Sequence, residues 1–264
     1  MSKPTRIAVI GLGEAGGLIA GGLAAAGADV IGFDPAAPAA PPVPVADTAE
    51  AAVVGADVVI SINSSTVSRR VAEQLAPVLG PGTIYADLNT GTPALKKNLA
   101  ALFAPGVFAD VAIMQPVPGL AEKVPMAVAG EGAHRFIELL EPFGLNLEFV
   151  SEVPGEAAAR KLLRSILAKG MASVLIDCLW AAESLGLQDW AYQEILREFD
   201  SSTSATAKRY LSGTAKHVKR RQIEMMDVTE MLAEIGYQPT MVDGVALTYS
   251  RILHSKKIPF SNLD

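Results

Sequence analysis

A short apolar run, Arg6 to Ile10, leads directly into Gly11-Leu12-Gly13-Glu14-Ala15-Gly16, and this junction constrains the fold more than any other stretch of the chain. A continuous apolar run of that length suits a strand buried on both faces of a parallel sheet. The residues that follow, from about Glu14 to Ala26 and closing at Gly27, suit a helix. Val30 to Phe33 then reads as a second buried strand, ended by Asp34. Within this frame the three glycines differ in purpose. Gly11 permits the tight turn, Gly13 lets the backbone approach a diphosphate, and Gly16 lets the helix pack closely on the strand. The helix start adds free N–H groups and the positive end of its dipole. Gly11, Leu12, Gly13, Glu14, Ala15 and Gly16 are therefore expected to cradle the diphosphate of a dinucleotide. Asp34 is expected to accept hydrogen bonds from the adenosine ribose and to repel a 2′-phosphate, which favours NAD over NADP. No Arg or Lys follows it until Arg69, so the usual partner of a 2′-phosphate is missing locally.

The alternation continues through a helix near Thr48–Val54, a strand Val58–Ile62, a helix Val67–Leu79 and a strand Ile84–Asp87. Repeated units of this kind predict a parallel sheet with helices on both faces. Met126–Ala129 and Leu147–Phe149 read as further strands around a helix at His134–Leu140, and the proline-rich stretch Pro35–Pro44 as a surface loop. From Pro154 onward strand signals fade, and Glu156 to Ser184 carries leucine, isoleucine and valine at helical spacing. The predicted fold is an α/β Rossmann-type doubly wound sheet over 1–152, joined by a long interdomain helix to an all-helical domain over 153–264.

Composition narrows the partners. Half of the residues are apolar and 19% are charged, as in a compact globular protein, and the net charge of −6 argues against nucleic acid. Cys178 is the only cysteine and has no Cys/His spacing around it, so neither a disulfide nor a metal site is expected, and a reducing, cytoplasmic setting fits. The apolar, glycine-rich stretch Ile7–Phe33 is interrupted by Glu14 and Asp29, and its eight glycines would weaken a spanning helix. No signal peptide or membrane partner is expected from it.

Ligands in open α/β sheets sit beyond the carboxyl ends of the strands. Asn63, Ser64 and Ser65 follow one such strand, and Asn89 and Thr90 follow another within Asp87-Leu88-Asn89-Thr90-Gly91-Thr92-Pro93. Short polar side chains there suit ribose and nicotinamide, although turns and helix caps use the same residue types.

Together with the N-terminal motif, these segments give the chain a resemblance to the β-hydroxyacid dehydrogenase superfamily, which includes 6-phosphogluconate dehydrogenase and is similar to the imine reductases. Phe108-Ala109-Asp110 at a strand start and Gly155-Glu156-Ala157-Ala158-Ala159-Arg160-Lys161 at the opening of the long helix also carry it. The closer similarity, carried by Arg160-Lys161-Leu162-Leu163-Arg164-Ser165 and Lys169-Gly170, is to a 6-phosphogluconate dehydrogenase-like branch with a C-terminal domain of unknown function. The resemblance implies that Lys161 is the catalytic acid/base, that a small molecule is the substrate and that the protein is a homodimer. Independently, reduction of a carbonyl or imine needs a proton donor, and an ammonium buried beside Arg160 and Arg164 would have its pKa lowered toward working range.

Departures from the family pattern bear on the substrate. The Ser-Gly-Gly that usually holds a hydroxyacid carboxylate is replaced by Met114, Gln115 and Pro116, followed by Val117-Pro118-Gly119. The asparagine usual one turn beyond the lysine is replaced by Arg164 and Ser165, of which Ser165 is suited to orient either a substrate hydroxyl or the lysine itself. His217, Arg220, Arg221 and Glu224 stand at i, i+3, i+4 and i+7 and are expected to share one helical face, with Lys208, Arg209, Lys216 and Lys219 around them. Such a face suits an anionic substrate, and equally a solvated surface. Cys178 is expected to be a small core hydrophobe, and Trp180 and Trp190 to pack the helical domain. The resulting expectation is an NAD(P)-dependent oxidoreductase, with NAD favoured, acting on a carbonyl or hydroxyl carbon of a small anionic metabolite, with an imine reductase or a non-catalytic NAD-binding sensor as alternatives.

Overall fold

The computed structural model describes residues 5–36, 41–64, 66–255 and Ile258. Its first compact unit, residues 1–164, is built on a seven-stranded sheet. The strands are β1 (Arg6–Ile10), β2 (Asp29–Phe33), β3 (Val58–Ser61), β4 (Ile84–Asp87), β5 (Phe108–Ile113), β6 (Met126–Ala129) and β7 (Leu147–Ser151). They lie in the order β2-β1-β3-β4-β5-β6-β7, parallel except where β6 runs antiparallel to β5. The order reverses between β1 and β3, and a crevice at such a reversal is where this architecture binds ligands.

Alternate residues of each strand feed two cores. Ile7, Val9, Ile60 and Val111 face α1 (Glu14–Ala25) and α5 (Ala133–Leu140), which contribute Ile19, Leu23, Phe136 and Leu140. Ala8, Ile10, Val59, Tyr85 and Phe108 face α2 (Ala49–Val53), α3 (Ser68–Leu75) and α4 (Pro93–Ala100). Complete burial of one large apolar side chain such as Phe136 contributes roughly 1.5–3 kcal/mol. On the second face Tyr85 stacks on Phe103 with centroids 4.5 Å apart, and Phe108 extends the stack. Regular helix in α3 stops at Leu75, short of the predicted Leu79, and Ala76–Val78 tightens into a 3-10 turn. Pro77 is the reason, since it has no N–H to donate and its ring crowds the preceding turn.

Among its described residues, the second unit (165–264) has helices and no strand. It holds most of α6 (Glu156–Ser184), then α7 (Gln188–Asp200), α8 (Ser204–Glu234) and α9 (Met241–Ser255). Three expectations fail here. Cys178 is exposed, and Trp180 and Trp190 are 57% and 61% exposed, so none of them is core. The helix phase instead buries Asp177, which is 6% exposed. Its carboxylate caps α9, accepting from Met241 N at 2.9 Å and from Tyr237 Oη at 2.7 Å. Nor is α8 one regular helix, because His217 has φ −124° and ψ 20°; Arg220, Arg221 and Glu224 lie beyond this kink, where the helix is regular. Ile166 and Leu167, 71% and 64% exposed, also show that much of the apolar surface of α6 is left uncovered within its own unit.

Burial alone would raise the Asp177 carboxyl, but hydrogen bonds from Tyr237 and from the amides of Met241 and Thr240 outweigh it and hold the group below the ordinary carboxylate range. That same hydrogen bond pushes the Tyr237 hydroxyl up to about 12. A folded-state pKa below the unfolded one gives stability that is present above the unfolded value, about pH 4, and is lost as pH falls through the folded value. Thermal melts of Asp177→Asn are expected to show lower stability at neutral pH and a flatter acid limb below about pH 4 than the parent. Parallel pH profiles would remove this role.

Candidate functional site

Three strand ends meet at the sheet reversal. Gly11 ends β1 with φ +109°, and a Cβ built there would lie 2.2 Å from Ile62 O. A Cβ on Gly16 would lie 2.0 Å from Gly11 O, so α1 can dock on the turn only if both residues are glycine. Gly13 differs from both. Its φ of −62° suits any residue, and a Cβ built on it meets nothing within 4 Å. It is the N-cap of α1 and no side chain caps that end, which leaves the first-turn amides of Glu14 and Ala15 to an incoming anion. Leu12 is buried, and its amide is committed to Asp34 Oδ2 at 2.8 Å.

Asp34 also accepts from Ala36 N at 2.8 Å, so each carboxylate oxygen already holds one backbone amide and keeps a second lone pair for a ribose hydroxyl. It lines a groove of about 530 Å³ together with Gly11, Gly13, Pro35, Ile62, Asn63 and Arg70. Arg70 is a groove residue that sequence reasoning does not single out. Arg69 beside it pairs with Glu73 at 2.8 Å, whereas Arg70 is turned by the phase of α3 into the groove. Nothing in the local pattern distinguishes these two neighbours.

The polar residues beyond β3 and β4 separate into framework and surface. Asn63 N donates to Asn89 Oδ1 at 2.5 Å, and Asn63 Nδ2 donates to Ser61 Oγ at 2.9 Å. Asn89 is buried and its Nδ2 donates to Asp87 Oδ1 at 2.5 Å, so it braces the two loops together. Thr90 is exposed. Ser64 belongs to a turn, with its hydroxyl 2.7 Å from Thr66 Oγ1, and Ser65 lies outside the described residues.

At the far edge of the sheet, α6 begins against α4. Gly155 has φ +100°, and its Cβ would lie 2.7 Å from Pro93 O. Ala157 packs with Ala112, Ala127 and Ala129, and Met114 rests on this cluster. Lys161, four residues past Ala157, shares that face of the helix and is half-buried. Of the two arginines near it in sequence, Arg160 pairs with Glu148 at 2.7 Å, and Arg164 is exposed. Gln115 is exposed and Ser165 half-buried. In the helical unit Arg220 lies 3.6 Å from Glu224, Arg221 donates to Thr214 Oγ1 at 2.6 Å, and His217 is exposed at the kink. No group of acidic, histidine or cysteine residues suited to a metal occurs among the described residues. None of the described helices is long and apolar enough to cross a membrane.

Residues 6–119 match the NAD binding domain of 6-phosphogluconate dehydrogenase, and 182–252 match a domain of unknown function (DUF1932). A conserved hypothetical protein from Sinorhizobium meliloti 1021 is 33% identical over 99% of this chain and 93% of its own, with a TM-score of 0.62. Conserved protein MTH1747, described as structurally similar to 3-hydroxyacid dehydrogenases, is 26% identical over 95% of this chain and 98% of its own, with a TM-score of 0.61. At the level of fold, a variant of the imine reductase from Myxococcus stipitatus in complex with NAD+ covers 96% of this chain and 95% of its own at 17% identity, with a TM-score of 0.77. An uncharacterized 28.5 kDa protein of Methanothermus fervidus is 29% identical over 160 residues, 60% of this chain, and the matched region spans 62% of that relative's length.

Gly13→Ala tests whether the open space at this turn takes a dinucleotide diphosphate, apart from the packing roles of Gly11 and Gly16. The added methyl meets no protein atom, so the melting temperature should stay within about 2 °C of the parent. NADH binding, followed by fluorescence titration, should weaken by about tenfold or more. Unchanged affinity would mean that the diphosphate does not approach this turn.

Proposed function

We propose, on the premise that this chain belongs to the 6-phosphogluconate dehydrogenase-like superfamily, in the branch carrying a C-terminal domain of unknown function, that it is an NAD(P)-dependent oxidoreductase acting on a small anionic metabolite. The observation that carries this reading is the open space above Gly13, at an uncapped helix start and beside Asp34, which fits a dinucleotide diphosphate and its adjoining ribose. When bound, the nicotinamide exchanges hydride with a carbonyl or hydroxyl carbon. The chain's own part is to hold the reactants and to move a proton. Lys161 gives that proton to the substrate heteroatom during reduction and takes it back in oxidation. Thr90 and Ser165 orient the reacting group, and Met114 and Gln115 shape the substrate side. Arg164, three residues beyond Lys161 and without an ion pair among the described residues, receives the anionic group. Arg220 and Arg221, already engaged with Glu224 and Thr214, are weaker candidates for that role. The uncovered apolar residues of the helical unit support a homodimer.

A second reading, reduction of C=N on the same scaffold, is favoured by Met114-Gln115-Pro116 standing where a carboxylate-holding Ser-Gly-Gly is usual. Keto acids offered with and without an amine, followed by loss of NADH absorbance, distinguish the two. A non-catalytic sensor would bind NADH and consume it with no compound of the panel.

Asp34 favours NAD, while Arg70 opposes that preference from within the same groove. Asp34→Ala should therefore narrow, and Arg70→Ala widen, the ratio of NADPH to NADH dissociation constants by about tenfold each. Ratios unchanged in both variants would remove the adenosine from this groove. Lys161→Ala should bind NADH normally and lose turnover by roughly 10²–10⁴-fold. Retained turnover ends the acid/base assignment.

A further inference from the structure

Among the described residues Lys96 is the one lysine or arginine that is buried, 1% exposed on the sheet face covered by α4. Its ammonium donates to Asp87 O at 2.8 Å and to Asp87 Oδ2 at 2.7 Å, and lies 3.0 Å from Asp110 Oδ1. Both carboxylates are as deeply buried as the lysine. Asp110 Oδ2 in turn accepts from Gly155 N at 3.0 Å and Ala158 N at 3.1 Å, the amides that open α6. The start of α6 also rests on Pro93, the first residue of the helix that carries Lys96. On the other side, Asp87 Oδ1 holds Asn89, and Asn89 holds Asn63. Asn63 stands against the turn at Gly11, where an ideal Cβ would lie 3.2 Å from its Oδ1. An unbroken run of short polar contacts thus links the groove to the helix that bears Lys161.

Dinucleotide binding has no use for a lysine at this depth. As a contribution to stability it is also poorly chosen, because a buried ion cluster is often no better than well-packed apolar residues of the same volume. What it supplies is direction: two hydrogen bonds to Asp87 and an ion pair with Asp110 tie β4, β5 and α4 to fixed relative positions, and the positive end of α6 balances the remaining negative charge.

We infer that Lys96 is a positioning residue: with Asp87 and Asp110 it sets the N-terminus of α6, and so Lys161, relative to the Asn63 and Asn89 loops at the dinucleotide groove. The significance of that placement rests on the function proposed for Lys161 above. The test follows Lys161 itself. Its acylation rate by acetic anhydride is measured by peptide mass spectrometry with and without NADH, using exposed Lys97 as internal reference. The paired change Lys96→Met/Asp110→Asn keeps packing and leaves no two unbalanced carboxylates facing each other. Asp110→Asn alone, which keeps an acceptor for the α6 amides, decides the matter if the pair does not fold. In the parent, NADH should slow acylation of Lys161 by roughly threefold or more, and in the variant this protection should vanish while the rate at Lys97 stays unchanged. Equal protection of Lys161 in parent and variant overturns the proposal. Because the readout is position and not turnover, its failure is distinct from failure of the catalytic reading, which falls if Lys161→Ala keeps turning over.

Discussion

Two stretches of backbone meet at the end of β1 with no side chain between them. Gly16 lies so close to the carbonyl of Gly11, and Gly11 to that of Ile62, that any Cβ would drive α1 off the sheet. This contact aims the uncapped start of α1 across the point where the strand order reverses, and it brings Asp34 and Asn63 to the rim of the same groove. The proposed anion site, the proposed ribose acceptor and the Asn63 loop that Asn89 braces all follow from one close approach of main chain to main chain.

Most of this first half is legible in the sequence because it is coded locally. Buried parallel strands announce themselves as short apolar runs, and glycines at a strand-to-helix junction have few other uses. What escapes such a reading is decided by partners far along the chain. Lys96 and Lys97 are adjacent and alike, yet one is buried between carboxylates at positions 87 and 110 and the other is exposed. Arg69 and Arg70 differ only in which way α3 turns them. The helix α4 itself goes unpredicted although Thr92 caps it and Pro93 occupies its first turn, both of them start signals.

In the helical unit the discrepancies have another origin. A mostly apolar helix such as α6 offers no clear polar face from which to read its phase, so hydropathy points to burial of Cys178 when the neighbouring Asp177 is the residue turned inward. That carboxylate caps α9 and holds Tyr237, a purpose that hydropathy does not report. The kink at His217 falls on a residue that is neither proline nor glycine, so the spacing of the residues around it carries no sign of the break. Buried polar groups in both units therefore act by fixing helix ends, Asp110 for α6 and Asp177 for α9.

The proposed chemistry stands on a dinucleotide lying across the turn at Gly13. Calorimetry on folded protein tests this most directly, with NADH and NADPH each titrated into the parent chain. Saturable binding of one dinucleotide per chain is the predicted result. Absence of heat with both would contradict it.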